Sequence, residues 1–169
     1  MTGDPFAVLG LSPGFDLDRQ AIERAYLRKA AALHPDAAGE ASSEQAADLN
    51  RARAALADSE RRAEALLRRL GGPEKERDKS LPTGFLMEIM EVREQVEAAL
   101  AEADEPGRAH WRAWALDQRS EYERRISELF RAGPPPLTEI RKTLNAWRYV
   151  ERLLEQLDPE YDPAKRDFE

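Results

Sequence analysis

The chain has no cysteine among its 169 residues. That excludes disulfides and thiolate metal sites, and it suits a cytoplasmic setting. Histidine is nearly as scarce. His34 and His110 are the only two, so no His-Glu-X-X-His or similar ligand cluster can be assembled, and neither a metal nor a cofactor is expected. There is no phosphate-cradling glycine loop, so the chain is not expected to hydrolyse ATP or to be an enzyme. No apolar run approaches the roughly 20 residues that a membrane span requires. Met1 to Phe6 carry neither a basic segment nor an apolar one, and no secretory signal is expected. Excess positive charge is also missing. Basic residues number 26 against 33 acidic ones, a net charge of −7. The two signs are interleaved, as on solvated helix faces, so nucleic acid is not an expected partner.

What is present favours helices. Charged residues make up 35% of the chain and aromatics 7%, with Ala, Leu, Glu and Arg dominant. Three breaks punctuate the chain: Pro13-Gly14, Gly71-Gly72-Pro73 with the polar run Glu74 to Lys79 behind it, and Gly133-Pro134-Pro135-Pro136. No segment shows the alternation of a strand. The pattern predicts an all-α chain in two parts, residues 1–72 and 82–169, joined by a linker over 73–81.

The helices can be placed from caps and periodicity. Asp4 caps a short one reaching Leu9, with Pro5 in its first turn. A second runs from Asp18 to Leu33, with Ile22, Ala25, Tyr26 and Leu33 in one arc, and Pro35 ends it. A third is expected to start at Ser42, where Ser42-Ser43-Glu44-Gln45 reads as a capping box. A fourth spans Ser59 to Leu70, with Gly71 as its natural C-cap. Beyond the linker, patterns over Pro82–Ala103, Pro106–Ala132 and Pro136–Leu157 show three- and four-residue steps, as helices with small crossing angles require. The second part therefore reads as a three-helix bundle.

His34-Pro35-Asp36 stands between two helices of similar length. A proline merely stopping a helix would account for the tripeptide by itself, but its context is specific. With the preceding Asp4-Pro5-Phe6-Ala7-Val8-Leu9-Gly10-Leu11 it resembles the J-domain family: an antiparallel helical hairpin with short flanking helices and a His-Pro-Asp loop. The resemblance implies docking on an ATP-bound DnaK-type chaperone and stimulation of its ATPase. It assigns His34, Pro35 and Asp36 to that contact, with Arg24 and Arg28 on the adjoining helix. Proline would lower the entropy lost on docking, Asp36 would accept from an arginine, and the two arginines would meet an acidic surface. There are departures from the family pattern. Leu27 and Ala37 stand where many J-domains have Lys or Arg, and Glu23 interrupts the basic face. Weaker electrostatic steering and a dedicated chaperone partner are expected.

Phe85-Leu86-Met87-Glu88-Ile89-Met90-Glu91-Val92-Arg93-Glu94 extends the resemblance to nearly the whole chain. This segment is similar to the signature of HscB proteins, the J-type co-chaperones of iron–sulfur cluster assembly, which hold the scaffold IscU and deliver it to HscA. Ser59 stands where that family commonly has proline. At about 100° per residue, Phe85, Ile89, Val92, Val96 and Leu100 share the core arc. Leu86, Met87, Met90, Glu91 and Glu94 fall on the far arc, and Tyr149 lies off the seam of its own helix. The resemblance implies that these six residues hold the client. Alternatively, Leu86 and Met87 cover the end of the bundle or pack on the first domain. A J-protein serving DnaK with another client, or a purely structural helical protein, are the competing functions.

Overall fold

The computed structural model of the chain describes residues 3–33 and 40–166, side chains at 40–42 and 165–166 excepted. Among the described residues there are eight helices and no strand. They gather into two compact units. One holds the chain to Arg69 together with Pro163 onward, and the other holds Leu70–Asp162.

In the first unit, α1 (Pro5–Leu9), α2 (Arg19–Ala32), α3 (Glu40–Ala57) and α4 (Ser59–Arg69) follow in order. The Asp4 carboxylate caps α1 by accepting from Phe6 N–H at 3.1 Å. Gly10, at φ 69°, ends it, with Leu11 N–H returning to the Phe6 carbonyl and Gly10 N–H to that of Ala7, the paired bonds of a Schellman cap. Asp18 caps α2 through Gln20 and Ala21. Phe6, Leu9, Ile22, Ala25, Leu49, Ala52, Leu56, Ala63 and Leu67 are buried, and α3 carries most of the packing, against both α1 and α2. Arg62 is buried as well. Its guanidinium donates to the Phe15 carbonyl at 2.7 Å and the Leu56 carbonyl at 2.6 Å, and it lies over the Phe15 ring. It thereby ties the loop after α1 to the end of α3.

In the second unit, α5 (Phe85–Ala101), α6 (Glu105–Arg131) and α7 (Leu137–Leu157) form a bundle. Its core includes Ile89, Val92 and Val96 of α5 against Leu153 and Leu157 of α7, and Ala115 of α6 against Val150 and Leu154. α7 is buried over the widest arc, including Ile140, Leu144 and Trp147, because it packs on both neighbours.

Three boundaries depart from the sequence reading. α3 begins at Glu40, so Ser42 lies inside the helix rather than at its cap. The helical backbone already covers residues 40 and 41, so the serines do not open it. α5 begins at Phe85 rather than Pro82. Phe85 N–H bonds the Pro82 carbonyl at 3.2 Å, and Gly84 sits at φ 83°, ψ −20°, values of the third residue of a type II turn. Pro82 therefore opens a turn, not a helix. Finally, α8 (Pro163–Arg166) groups with the first unit, whereas the sequence reading carries the bundle on to residue 169. Four residues bounded by proline carry no periodicity that could have assigned them.

Candidate functional site

His34, Pro35 and Asp36 lie outside the described residues, and so does Ala37. The helix that leads to them is described. α2 ends at Ala32, and Leu33 turns into extended backbone at φ −77°, ψ 98°.

On α2, Ile22 and Ala25 are buried, while Arg24, Leu27, Arg28 and Ala31 are exposed. Steps of three and four residues place these four in one stripe opposite the core. Arg24 keeps 63% of its side chain exposed within 3.6 Å of Asp18, and its Nη1 donates to Gln20. Leu27 is 60% exposed. Glu23, which interrupts the basic face in sequence, is drawn off the stripe. Its carboxylate accepts from Arg53 of α3 at 2.8 Å, and that bond is the first cause raising the Arg53 pKa. The Arg53 guanidinium also lies 4.9 Å from the centre of the Tyr26 ring, and Tyr26 Oη donates to Asn50 at 2.8 Å. These cross-hairpin ties lock the edge of α2 that faces α3. Lys29, four residues after the buried Ala25, is exposed, as a snorkelling lysine would be.

On α5, Phe85, Ile89, Val92, Val96 and Leu100 all face the bundle core. Leu86, Met87 and Met90 are 51%, 74% and 54% exposed, so they do not cover the end of their own bundle. Glu91 and Glu94 are exposed beside them. Three large apolar side chains within two turns, edged by carboxylates, make a compact patch of the kind that marks protein contacts. Methionine suits such a surface because its unbranched chain adapts to a partner. Tyr149 is placed differently from the other five. It is half-buried and packs against the core cluster, with its ring edge-on to Phe85 at 5.7 Å. It therefore joins the surface at the first turn of α5 and supports the bundle as well.

Between α6 and α7 lies a polar core that sequence patterning does not reveal. The buried Glu151 carboxylate accepts from Arg119 Nε at 2.9 Å, Trp147 Nε1 at 2.8 Å and Tyr161 Oη at 2.8 Å. Arg119 also pairs with Glu123 at 3.2 Å. The turn after α7 is fixed by Asp158, which accepts from Arg112 Nε and Nη2 at 3.0 and 2.8 Å. Tyr122 stacks on Trp147. Burial, then the charge of Glu88, pushes the Tyr122 phenol up to about 12. Among the described residues no cluster of His, Asp and Glu is arranged to hold a metal, and no helix is long and apolar enough to cross a membrane.

Two family models match the chain, the DnaJ domain over residues 4–65 and the HSCB C-terminal oligomerisation domain over residues 81–158. A co-chaperone protein HscB homolog of Bordetella avium is 32% identical, with 91% of this chain and 95% of that protein aligned. A homolog of the same description from Vibrio cholerae is 37% identical over 59% of this chain and 63% of its own length. Among solved structures, the chaperone HscB from Vibrio cholerae superposes with a TM-score of 0.75 at 24% identity, covering 92% of this chain and 95% of that one. The crystal structure of human co-chaperone protein HscB gives 0.79 at 22% identity, covering 94% and 82%. At those identities the two structures speak for the fold.

Proposed function

This chain belongs to the HscB family of J-domain co-chaperones, and from that premise we propose that it binds an IscU-type iron–sulfur scaffold and delivers it to a DnaK/HscA-type chaperone in the cytoplasm. The chaperone contact is the His34-Pro35-Asp36 loop with Arg24 and Arg28, within the J-domain near residues 1–72. The client contact is Leu86, Met87, Met90, Glu91, Glu94 and Tyr149 in the bundle. The chain itself performs no chemistry on the client. It brings two proteins together and stimulates ATP hydrolysis by one of them.

The observation that carries this reading is the exposure of Leu86, Met87 and Met90 on a helix whose opposite face is fully committed to the core. Leaving three half-exposed apolar groups in water forgoes about 1–2 kcal/mol each relative to full burial, and a partner that covers them recovers it. Calorimetric titration of the full chain with apo IscU-type scaffold tests the proposal. Leu86→Ala with Met90→Ala should weaken binding by about two decades, at roughly 1–2 kcal/mol per residue, and leave the melting temperature unchanged. Wild-type affinity in the double variant would remove the patch from the client site. No binding by the wild-type chain would favour a J-protein that serves DnaK with a different client.

A further inference from the structure

We infer that Leu27 is an apolar anchor in the chaperone-docking face of α2 and sets which DnaK-type chaperone this chain accepts. The inference rests on the function proposed above and adds to it the chemistry of the partner's surface. Among the described residues of the first unit, Leu27 is the exposed large hydrophobic side chain. Its neighbours decide what it fits. Arg24 lies one turn before it and Arg28 directly after, and Ala31, one turn on, is too small to cover it. Glu23, one turn before Leu27, is paired with Arg53 on the other helix of the hairpin, and Asp18 lies 3.6 Å from Arg24 at the start of α2, both side chains remaining more than 60% exposed. The exposed stripe of α2 thus carries an aliphatic side chain between two arginines. Its complement is an acidic surface with an apolar seat. A docking face of lysines and arginines alone would fit acidic surfaces generally, whereas an added leucine discriminates between chaperones with and without that seat. Exposed charges mainly govern encounter, and desolvated apolar contacts mainly govern residence, so the two contributions separate kinetically.

The test uses the full chain with the HscA-type chaperone and the DnaK encoded in the same genome, each with ATP. Leu27→Ala should raise the half-saturating concentration for stimulation of the preferred chaperone about five- to tenfold. It should act through faster dissociation, with maximal stimulation and melting temperature unchanged. Leu27→Met should restore wild-type behaviour. Leu27→Lys should associate faster at low salt, lose that gain at high salt, and narrow the preference between the two chaperones. If Leu27→Ala matches the wild type in half-saturation and dissociation while Asp36→Asn is inactive in the same assay, the anchor is refuted and the docking site stands. If the wild-type chain stimulates neither chaperone, both the anchor and the proposed function fall.

Discussion

At Glu151, one carboxylate on α7 receives Arg119, Trp147 and Tyr161 from three directions, with side-chain exposures of 6% for Arg119 and 2% for Glu151. Charges this deep carry a large desolvation cost, and complete hydrogen bonding is what makes them tolerable. Removing one partner therefore does more harm than removing the pair. Glu151→Leu should destabilise the bundle by about 3 kcal/mol, because Arg119 keeps only part of its pairing and the indole and phenol donors lose their acceptor. Arg119→Met combined with Glu151→Leu should recover a large part of that loss. Chemical denaturation of the two single variants and the double variant gives the coupling, and strictly additive losses would show the network to be inert. Nothing in the local pattern exposes this network. Glu151 and Arg119 read as ordinary solvated charges on their helices, and only the packing of α6 on α7 brings them face to face. Tyr149 was partly legible in the same sense. Its position off the main seam is visible in the sequence, but its edge-on contact with Phe85 depends on how α5 meets α7.

At the scale of elements, the chain ends two helices in the same way with different residues. α1 closes on Gly10 at φ 69°. α5 closes with Asp104 N–H bonded to the Ala99 carbonyl at 2.9 Å and Ala103 N–H to that of Leu100, which is the same Schellman pattern. The residue in the left-handed position is here Ala103, at φ 52°. An alanine pays roughly 1–2 kcal/mol for that conformation, and glycine is free of it. Ala103→Gly should therefore stabilise the bundle by about 0.5–1 kcal/mol after the added freedom of the unfolded chain is counted. A rise in the denaturation midpoint with unchanged slope is the expected result, and a fall would mean that the Ala103 methyl group contributes packing worth more than the strain. The helices themselves were legible in the sequence because apolar periodicity and caps such as Asp4 and Asp18 act within one turn. The turn at Gly84 was less so, because Pro82 suits the first turn of a helix and the first residue of a turn equally well.

At the scale of the whole chain, the two proposed contacts fall in separate compact units, α2 in one and α5 in the other. Sites built from separate cores should respond independently to mutation. His34→Gln or Asp36→Asn should abolish stimulation of the chaperone's ATPase and leave scaffold affinity at its wild-type value. Leu86→Ala with Met90→Ala should do the reverse, losing scaffold and keeping stimulation by the chain alone. Adding Tyr149→Ala should weaken scaffold binding further and also lower the melting temperature, since that ring packs on the bundle core. The decisive measurement is delivery, read as stimulation with scaffold present against stimulation without it. A carrier needs both contacts on one molecule. A mixture of the loop variant and the patch variant holds both contacts on different molecules, so it should stimulate only as far as the patch variant alone, with no added effect of scaffold. If the mixture regains the full scaffold-dependent effect, the two units need not be joined, and the chain works as two independent binders rather than as a carrier.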